Sequence, residues 1–258
     1  YGKGESFIEN EIEYLSREFG RIYILPKTSS TQEQRSLPAN CIVFPPIFRS
    51  SGELVFKGLF CFSPLFYFFK KLISEKAYTS LYKFKKYIAT AITCRCILAD
   101  KNFKRLNRQS TESTVYFYWG IGMAYILPFI HNKDKKIVRF HRTDLYADLR
   151  PHQYIPFRKE VFESLNKAVF ISKQGLEYAK KNFGQYKFSA YCSYLGTKDH
   201  GISKIKNEDG VIHILSCSNV VPVKRVSLIL KSLLLIPDRP IQWTHIGGGK
   251  GFNALQQQ

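Results

Sequence analysis

Residues 136–172 read KIVRFHRTDLYADLRPHQYIPFRKEVFESLNKAVFIS, and this stretch decides the fold. Residues 136–141 and 168–172 are short apolar runs rich in β-branched and aromatic side chains, which predict two buried strands. Residues 158–165 lie between them and have helical spacing. The pattern continues outward with a strand at 115–119 and helices at 122–131 and 174–182. Strands alternating with helices of this length predict an α/β fold, with a parallel sheet covered by helices on both faces.

Toward the N-terminus, the chain has a helix and two further candidate strands. Apolar residues recur at helical spacing over 5–19, and Gly20 follows them, so we expect a helix that ends there. Residues 21–25 and 40–44 are short apolar runs, and two prolines close the second one. We therefore expect both to be strands.

Residues 49–108 differ in composition from the rest of the chain. They contain 13 lysines and arginines against Glu53, Glu75 and Asp100, and phenylalanine and tyrosine are interleaved with the basic residues. We expect this segment to form mobile helices.

A second unit follows the polar linker at 198–210. Residues 211–217 predict an apolar strand, 226–235 an apolar helix and 241–246 a second strand that runs into three glycines. This order is one βαβ unit and the start of the next helix. We therefore assign 1–200 and 211–258 to different domains.

Composition and charge limit the possible functions. The chain has 258 residues, 45% of them hydrophobic, which excludes a disordered chain or a disulfide-stapled miniprotein. The 39 lysines and arginines exceed the 20 acidic residues by 19, which predicts attraction to nucleic acid, an acidic membrane or phosphorylated substrates. The six cysteines show neither a CxxC pair nor zinc spacing, so we expect free thiols in a reducing compartment.

The two ends of the chain and two uncharged runs show whether the sequence predicts a signal peptide or a membrane-spanning helix. Tyr1 is not an initiator methionine, and the helix expected after the three glycines stops at Gln258, so we interpret the chain as a fragment truncated at both ends. The start lacks the basic-then-apolar order of a signal peptide. Residues 58–69 and 115–130 are shorter than the ~20 residues of a membrane-spanning helix, so we expect none.

Four motifs in order carry a resemblance to a known family. They are GESFIENE at 4–11, FHRTD at 140–144, SCSNVVPVKR at 216–225 and HIGGG at 245–249. In this order they resemble the bacterial members of glycosyltransferase family 4, which have the GT-B fold of two Rossmann-like domains. The resemblance implies sugar transfer from a nucleotide diphosphate sugar with retention of configuration and without a metal or other cofactor. It also implies an acceptor-side first domain and a nucleotide-sugar-binding second domain.

Two glycines at the N-terminus are candidate donor-binding residues. Gly2 and Gly4 precede the first helix, whose N-terminal N–H groups suit a phosphate. A turn of this kind is also an ordinary tight connection, and the resemblance is what favours a place beside the donor phosphates.

The stretch before the helix at 226–235 holds further candidates for donor binding. Lys224 follows a proline and begins this helix, where its ammonium can offset charge on a leaving nucleotide. Where the family commonly has an arginine, this sequence has Asn219, so Lys224, Arg225 and the Ser218 hydroxyl are left to bind the phosphates. A solvated lysine in a basic protein is the alternative for Lys224.

His141 and Asp144 are the candidate catalytic residues. His141 ends a strand, and ligands gather at the carboxyl ends of parallel strands. The family often has a histidine here that faces the donor sugar. A structural histidine remains the alternative, and Asp144 either orients His141, binds acceptor hydroxyls or caps a helix.

The three glycines Gly247, Gly248 and Gly249 are candidates for close approach to the nucleotide. A plain strand-to-helix turn is the alternative, although it requires fewer glycines. The family's paired-glutamate motif for the donor would lie beyond Gln258, so we expect this chain alone to be inactive.

Residues 49–108 leave three interpretations open: a nucleic-acid surface, a helix in an anionic membrane interface, or a solvated face over an aromatic core. Lysines alternating with phenylalanine and tyrosine between Phe66 and Tyr87 favour the membrane, and no RNA-binding signature is present. We therefore expect a cytoplasmic enzyme, peripheral on the inner membrane face, that uses a nucleotide-sugar donor and a glycan or lipid-linked acceptor in cell-surface polysaccharide biosynthesis. We expect no nucleic acid as partner. The rival hypothesis is a non-enzymatic basic module that binds membrane or nucleic acid.

Overall fold

The chain divides into two compact units, residues 1–198 and 199–258, and each is described by itself. The structure is a computed structural model. It describes residues 6–28, 36–59, 64–108, 113–131, 135–199, 201–202 and 210–257. The division falls at the start of the polar stretch that the composition marks as a linker.

The first unit is built on a four-stranded parallel sheet. Its strands lie in the order β3 (Thr114–Phe117), β4 (Lys135–Phe140), β5 (Lys167–Phe170) and β6 (Ser189–Cys192). Val138 pairs with Ala168, and Ala168 pairs with Ala190 across the sheet. The parallel α/β fold predicted from the alternating pattern is therefore confirmed.

The connections between these strands are helical. A 3₁₀ helix, Gly122–Phe129, follows β3; α6 (Arg142–Leu145) and α7 (Arg158–Ser164) follow β4; and α8 (Lys173–Phe183) follows β5. The first of these is a 3₁₀ helix and not the helix of ordinary α type expected at 122–131, and it contains Pro128.

Stacked phenylalanine rings join the sheet to its helices. Phe140 of β4 stacks on Phe162 of α7 with centroids 4.9 Å apart, and Phe162 stacks on Phe183 of α8 at 4.0 Å. Phe140 also stacks on Phe170 of β5 at 5.4 Å. Aromatic pairs contribute about 0.5–1.5 kcal/mol each beyond burial, so this column fixes α7 and α8 against the strand ends.

The N-terminal residues form a helix and a separate two-stranded parallel sheet. They are α1 (Ser6–Glu18), β1 (Ile22–Ile24) and β2 (Cys41–Val43). The Asn40 side-chain amide donates to the carbonyls of Ser16 and Phe19, both at 2.8 Å. These bonds satisfy carbonyls at the end of α1 and tie it to the start of β2.

In its described residues, the basic middle segment forms four α-helices and the 3₁₀ helix Ala77–Thr79, and these contribute to the core. The α-helices are α2 (Ser51–Leu59), α3 (Leu65–Ser74), α4 (Leu81–Ala99) and α5 (Lys101–Arg108). Phe68, Tyr87, Cys94 and Ile97 are buried in the main core cluster. The expected helices are present, and they pack one side against the rest of the unit.

The second unit is a βαβ arrangement. It consists of β7 (Ile212–Cys217), α9 (Val226–Leu233), β8 (Ile241–Ile246) and α10 (Phe252–Gln256), with β7 and β8 parallel in register from Ile212–Ile241 to Cys217–Ile246. Among its described apolar residues, Val220 and Val226 are buried. The predicted strand–helix–strand order is therefore confirmed.

Candidate functional site

His141 lies directly after β4 and is buried against aromatic rings. Its residue surface is 5% exposed. Its ring centroid lies 4.0 Å from that of Trp119 and 5.3 Å from that of Tyr118, both of which follow β3. The loops after two neighbouring strands therefore meet at this histidine, at the carboxyl end of the sheet.

Asp144 holds these two loops together. Its carboxylate accepts the backbone N–H of His141 at 2.5 Å and the backbone N–H of Gly120 at 2.6 Å. Its Oδ2 lies 3.8 Å from the His141 Nδ1, beyond hydrogen-bond distance. Asp144 is fully buried, so its oxygens serve the backbone at the start of α6.

The imidazole of His141 is left with unused hydrogen-bonding capacity. Both ring nitrogens are buried, and neither has a hydrogen-bond partner among the described residues. A buried polar group without a partner is unfavourable by about 1–3 kcal/mol, and native proteins rarely leave one. An arrangement of this kind fits a group that is completed by a ligand.

A pocket of about 460 Å³ opens at the same end of the sheet. It is lined by residues of the loops after β4 and β5, among them His141, Arg142, Ser172 and Gln174. The Ser172 hydroxyl caps α8 by accepting the N–H of Gly175 at 3.0 Å. Polar side chains and a helix start therefore share this pocket with His141.

The buried Arg158 stabilises the loop after β4, and the sequence analysis does not predict this role. One guanidinium N–H donates to the backbone carbonyl of Asp144. The guanidinium carbon lies 5.6 Å from the Phe140 ring centroid and 5.8 Å from that of Phe162. Burial lowers the pKa of Arg158. The stretch 154–162 has three consecutive charged residues, Arg158, Lys159 and Glu160, between apolar ones, and the sequence does not indicate that Arg158 is buried.

A second unpredicted network fixes α1 against the sheet. Arg139 of β4 donates to the Tyr116 hydroxyl at 2.8 Å and to the Glu11 carboxylate at 3.1 Å. The Tyr116 hydroxyl donates to the same Glu11 oxygen at 2.8 Å. Burial raises the pKa of Tyr116, so its hydroxyl stays protonated and can act as this donor. Arginine inside an otherwise apolar strand is the signal that could have indicated a buried ion pair.

A larger pocket of about 1630 Å³ lies within the first unit. Its lining includes Tyr118, Trp119, Arg139 and Lys27, together with many apolar side chains. Two of the aromatic neighbours of His141 thus border this larger space.

In the second unit, the glycine-rich loop after β8 runs beside the loop after β7. The Val220 N–H donates to the Gly248 carbonyl at 2.8 Å. Gly247 and Gly249 both have φ +143°, and a Cβ would lie 1.9 Å from the Ser218 carbonyl oxygen at Gly247 and 2.8 Å from that of Val220 at Gly249. These two glycines are therefore required by the close approach of the two backbones. A Cβ on Gly248 would meet nothing within 4 Å.

A hydrogen-bonded trio holds the ends of β7 and β8 in place. The Trp243 indole donates to the Ser216 hydroxyl at 2.9 Å, and this hydroxyl lies 2.8 Å from His245 Nδ1. His245 Nε2 lies 3.0 Å from the Ser218 carbonyl oxygen. The alternation of side chains along both strands brings these residues to one face.

The remaining donor-binding candidates lie around the start of α9. Lys224 ends the 3₁₀ turn Pro222–Lys224, and Arg225 precedes α9 with φ +51°. Lys224, Arg225 and Asn219 are exposed, while Ser218 is half-buried. The structure thus places Ser218 and Asn219 beside the three glycines, with two basic side chains at the head of the following helix.

The remaining predictions concern the N-terminal glycines, a metal site and the cysteines. Gly2 and Gly4 lie outside the described residues. Within the described part of the chain, no group of three or more histidine, cysteine or acidic side chains is arranged to hold a metal. The five cysteines that the structure describes are free thiols, as expected.

Comparisons with known proteins yield distant likenesses among solved structures. No family model matches the chain, and no curated protein matches it. Among solved structures, it is similar to a mutant of TarM from S. aureus in complex with fondaparinux, α-GlcNAc-glycerol and UDP, with 14% sequence identity and a TM-score of 0.44. The similarity covers 66% of this chain and 33% of that one, so the chain spans about a third of TarM's length.

Proposed function

We propose that the protein belongs to a retaining glycosyltransferase of the GT-B type, related to family 4. It transfers a sugar from UDP- or GDP-sugar to a glycan or lipid-linked acceptor in cell-surface polysaccharide biosynthesis. The ordered motifs at 4–11, 140–144, 216–225 and 245–249 support this proposal. The proposal includes no metal and no other cofactor, and it places the reaction in the cytoplasm.

The observation that carries the proposal is the buried imidazole of His141. Its ring nitrogens lack partners, and His141 lines a pocket at the carboxyl end of a parallel sheet, where ligands of such folds bind. An imidazole here can hydrogen-bond a sugar hydroxyl in the transition state. Asp144 acts as a positioning residue, because it fixes the backbone of His141 and of the loop that carries Trp119.

The second unit is proposed to bind the donor diphosphate. The exposed Lys224 supplies a positive charge next to the N-terminus of α9, and both features favour a phosphate. Gly248 leaves open space beside them for the nucleotide. Arg225 and the Ser218 hydroxyl are the further phosphate contacts, and Asn219 stands where the family has an arginine.

The direct test is nucleoside diphosphate binding by calorimetry on the full-length protein, because we expect this chain alone to bind the donor weakly or not at all. Replacing Lys224 with Ala removes a charge-assisted contact, so we expect UDP or GDP binding to weaken about ten- to a hundredfold. Lys231→Ala, at the other end of α9, is the matched control and should leave the affinity unchanged. Equal affinities in the wild type and Lys224→Ala would remove Lys224 from the proposed donor site.

The rival function, a non-enzymatic basic module, is supported by the exposed residues of α3 and α4. A protein that binds no UDP or GDP in the calorimetric test, and transfers no sugar, would favour this rival.

A further inference from the structure

The helices α3 and α4 expose an unusual number of large apolar side chains. Phe66 is 80% exposed, Leu81 69% and Phe69 61%, although all three lie in the middle of a folded segment. We call this set the aromatic–basic face. It consists of Leu65, Phe66, Phe69, Ile73, Tyr78, Leu81, Phe84 and Ile88, together with Lys70 and Lys85.

The exposure follows from helical geometry. On α3, Phe66, Phe69 and Ile73 share one side at i, i+3 and i+7, whereas Phe68 points into the core. On α4, Leu81, Phe84 and Ile88 repeat this spacing. Both helices are therefore apolar on the outside as well as on the side that packs against the unit.

The two helices are rigidly joined, so their outer residues form a stable surface. The buried Tyr87 hydroxyl of α4 donates to the Phe68 carbonyl of α3 at 2.5 Å. The Phe68 and Tyr87 rings also both pack on Phe157, with centroids 5.7 and 5.1 Å away. The exposed rings therefore lie on helices that are anchored in the main core of the first unit.

The charge on this surface is positive because the acidic residues of the segment are occupied elsewhere. Glu53 pairs with Lys57 at 2.5 Å. Glu75 accepts hydrogen bonds from Tyr154 and Phe157, and Asp100 accepts backbone N–H groups at the start of α5. In contrast, Lys70 and Lys85 are exposed, and the described residues offer them no ion pair.

We propose that the aromatic–basic face docks onto the surface of an anionic lipid bilayer. The aromatic and aliphatic side chains enter the boundary between headgroups and acyl chains, and Lys70 and Lys85 contact lipid phosphates. No helix in the described part of the chain has the length and hydrophobicity to cross a membrane. The inference is independent of the proposed sugar transfer.

Single-stranded nucleic acid is the competing polyanion, and the aliphatic residues argue against it. Bases stack on phenylalanine and tyrosine rings, but Leu65, Ile73, Leu81 and Ile88 offer them no π-face. A bilayer interface stabilises aromatic and aliphatic side chains alike, because both leave water.

Sedimentation with lipid vesicles tests the proposal on the full chain. We expect binding to vesicles of phosphatidylserine and phosphatidylcholine, weaker binding as salt is added, and little binding to phosphatidylcholine alone. The double variant Phe66→Ser/Phe69→Ser should bind about a hundredfold more weakly, at roughly tenfold per ring. The matched control is Tyr14→Ser on α1, which removes a ring that is 66% exposed and should bind as the wild type does.

The lysines need their own comparison. Replacing Lys70 and Lys85 together with Gln should weaken binding by about fivefold per lysine at low salt. Replacing Lys180 and Lys181 with Gln removes the same charge from α8 and should have a much smaller effect. Equal losses in the two sets would mean that net charge alone drives binding, which would overturn the proposal.

Three further results would also overturn it. One is equal binding to neutral and anionic vesicles, and another is full binding by the Phe66/Phe69 variant. The third is salt-sensitive binding to single-stranded RNA or DNA without vesicle binding in the same buffer. Circular dichroism of each variant establishes that it is folded, and the salt titration on the wild type gives a result that depends on no variant.

Discussion

Neighbouring side chains on α3 differ sharply in how much of their surface is exposed. Phe68 and Phe69 are adjacent phenylalanines that a composition argument treats alike, yet Phe68 is 5% exposed and Phe69 is 61% exposed. Lys71 is similarly set apart from Lys70, because it forms an ion pair with the buried Glu160. The membrane contact expected for the stretch between Phe66 and Tyr87 therefore does not include Phe68 and Lys71, because both are occupied inside the unit.

His141 gives the sharpest prediction about activity. In the full-length protein, His141→Ala should lower turnover by about a hundredfold or more and leave UDP or GDP affinity nearly unchanged, because the imidazole acts on the sugar in the transition state. Initial rates of transfer and calorimetry measure the two effects separately. A variant that keeps its specific activity and melts at a lower temperature would show that His141 is a structural residue.

Glu75 makes the stability of the fold depend on pH. Burial raises the pKa of Glu75 from 4.5 to about 7, so the folded protein holds a proton that the unfolded chain releases in this range. The folded state should therefore lose stability as pH rises from about 4.5 to 7, by up to ~3 kcal/mol from this group. Glu75→Gln should remove that contribution.

Chemical denaturation at pH 5 and pH 7.5 measures this effect. The difference in unfolding free energy between Glu75→Gln and the wild type should shift in favour of the variant at the higher pH. Glu163→Gln, on the exposed side of α7, controls for the loss of one charge. A difference that is the same at both pH values would contradict the raised pKa of Glu75.

Among the elements, α2 depends on a single glycine for its packing. A Cβ on Gly58 would lie 2.5 Å from the Ile92 Cγ2 and 2.6 Å from the Ile92 carbonyl oxygen of α4. Because backbone cannot give way as a flexible side chain can, Gly58→Ala should push α2 away from α4 and destabilise the protein by about 1–3 kcal/mol.

The same helix provides the control for this prediction. A Cβ on Gly52 would meet only the Ser50 hydroxyl oxygen, at 3.9 Å, so Gly52→Ala should leave stability unchanged or raise it slightly. Thermal unfolding of both variants is the measurement. Equal melting temperatures for the two would mean that α2 and α4 are not packed as closely as described.

Most elements were predicted from local pattern, and those that were missed are short. The strands at 136–141 and 241–246 were recognised because apolar runs of this length are typical of buried strands. The edge strand β6 (Ser189–Cys192) was missed because its four residues, SAYC, have no apolar run. The helix α6 was missed because its four residues are ordered by Asp144 rather than by periodicity.

At the scale of the whole molecule, the net charge and the buried core are distributed differently along the chain. The net charge of +19 belongs to the entire chain, whereas the exposed rings Phe66, Phe69 and Phe84 lie on α3 and α4 of the first unit. The second unit buries few apolar residues among those described. The core of the first unit, in contrast, joins its sheet, the basic helices and the loop that carries Trp119.

The sequence by itself determined most of the strands and helices, the parallel sheets and the polar linker that begins at residue 198, because these follow from local periodicity and composition. Only the tertiary structure decided which of Phe68 and Phe69 is buried, that His141 keeps two unpartnered nitrogens, and that Gly247 is required by the Ser218 backbone. These outcomes depend on contacts between residues far apart in the chain. A local pattern records which face is apolar, but it does not record what lies against that face.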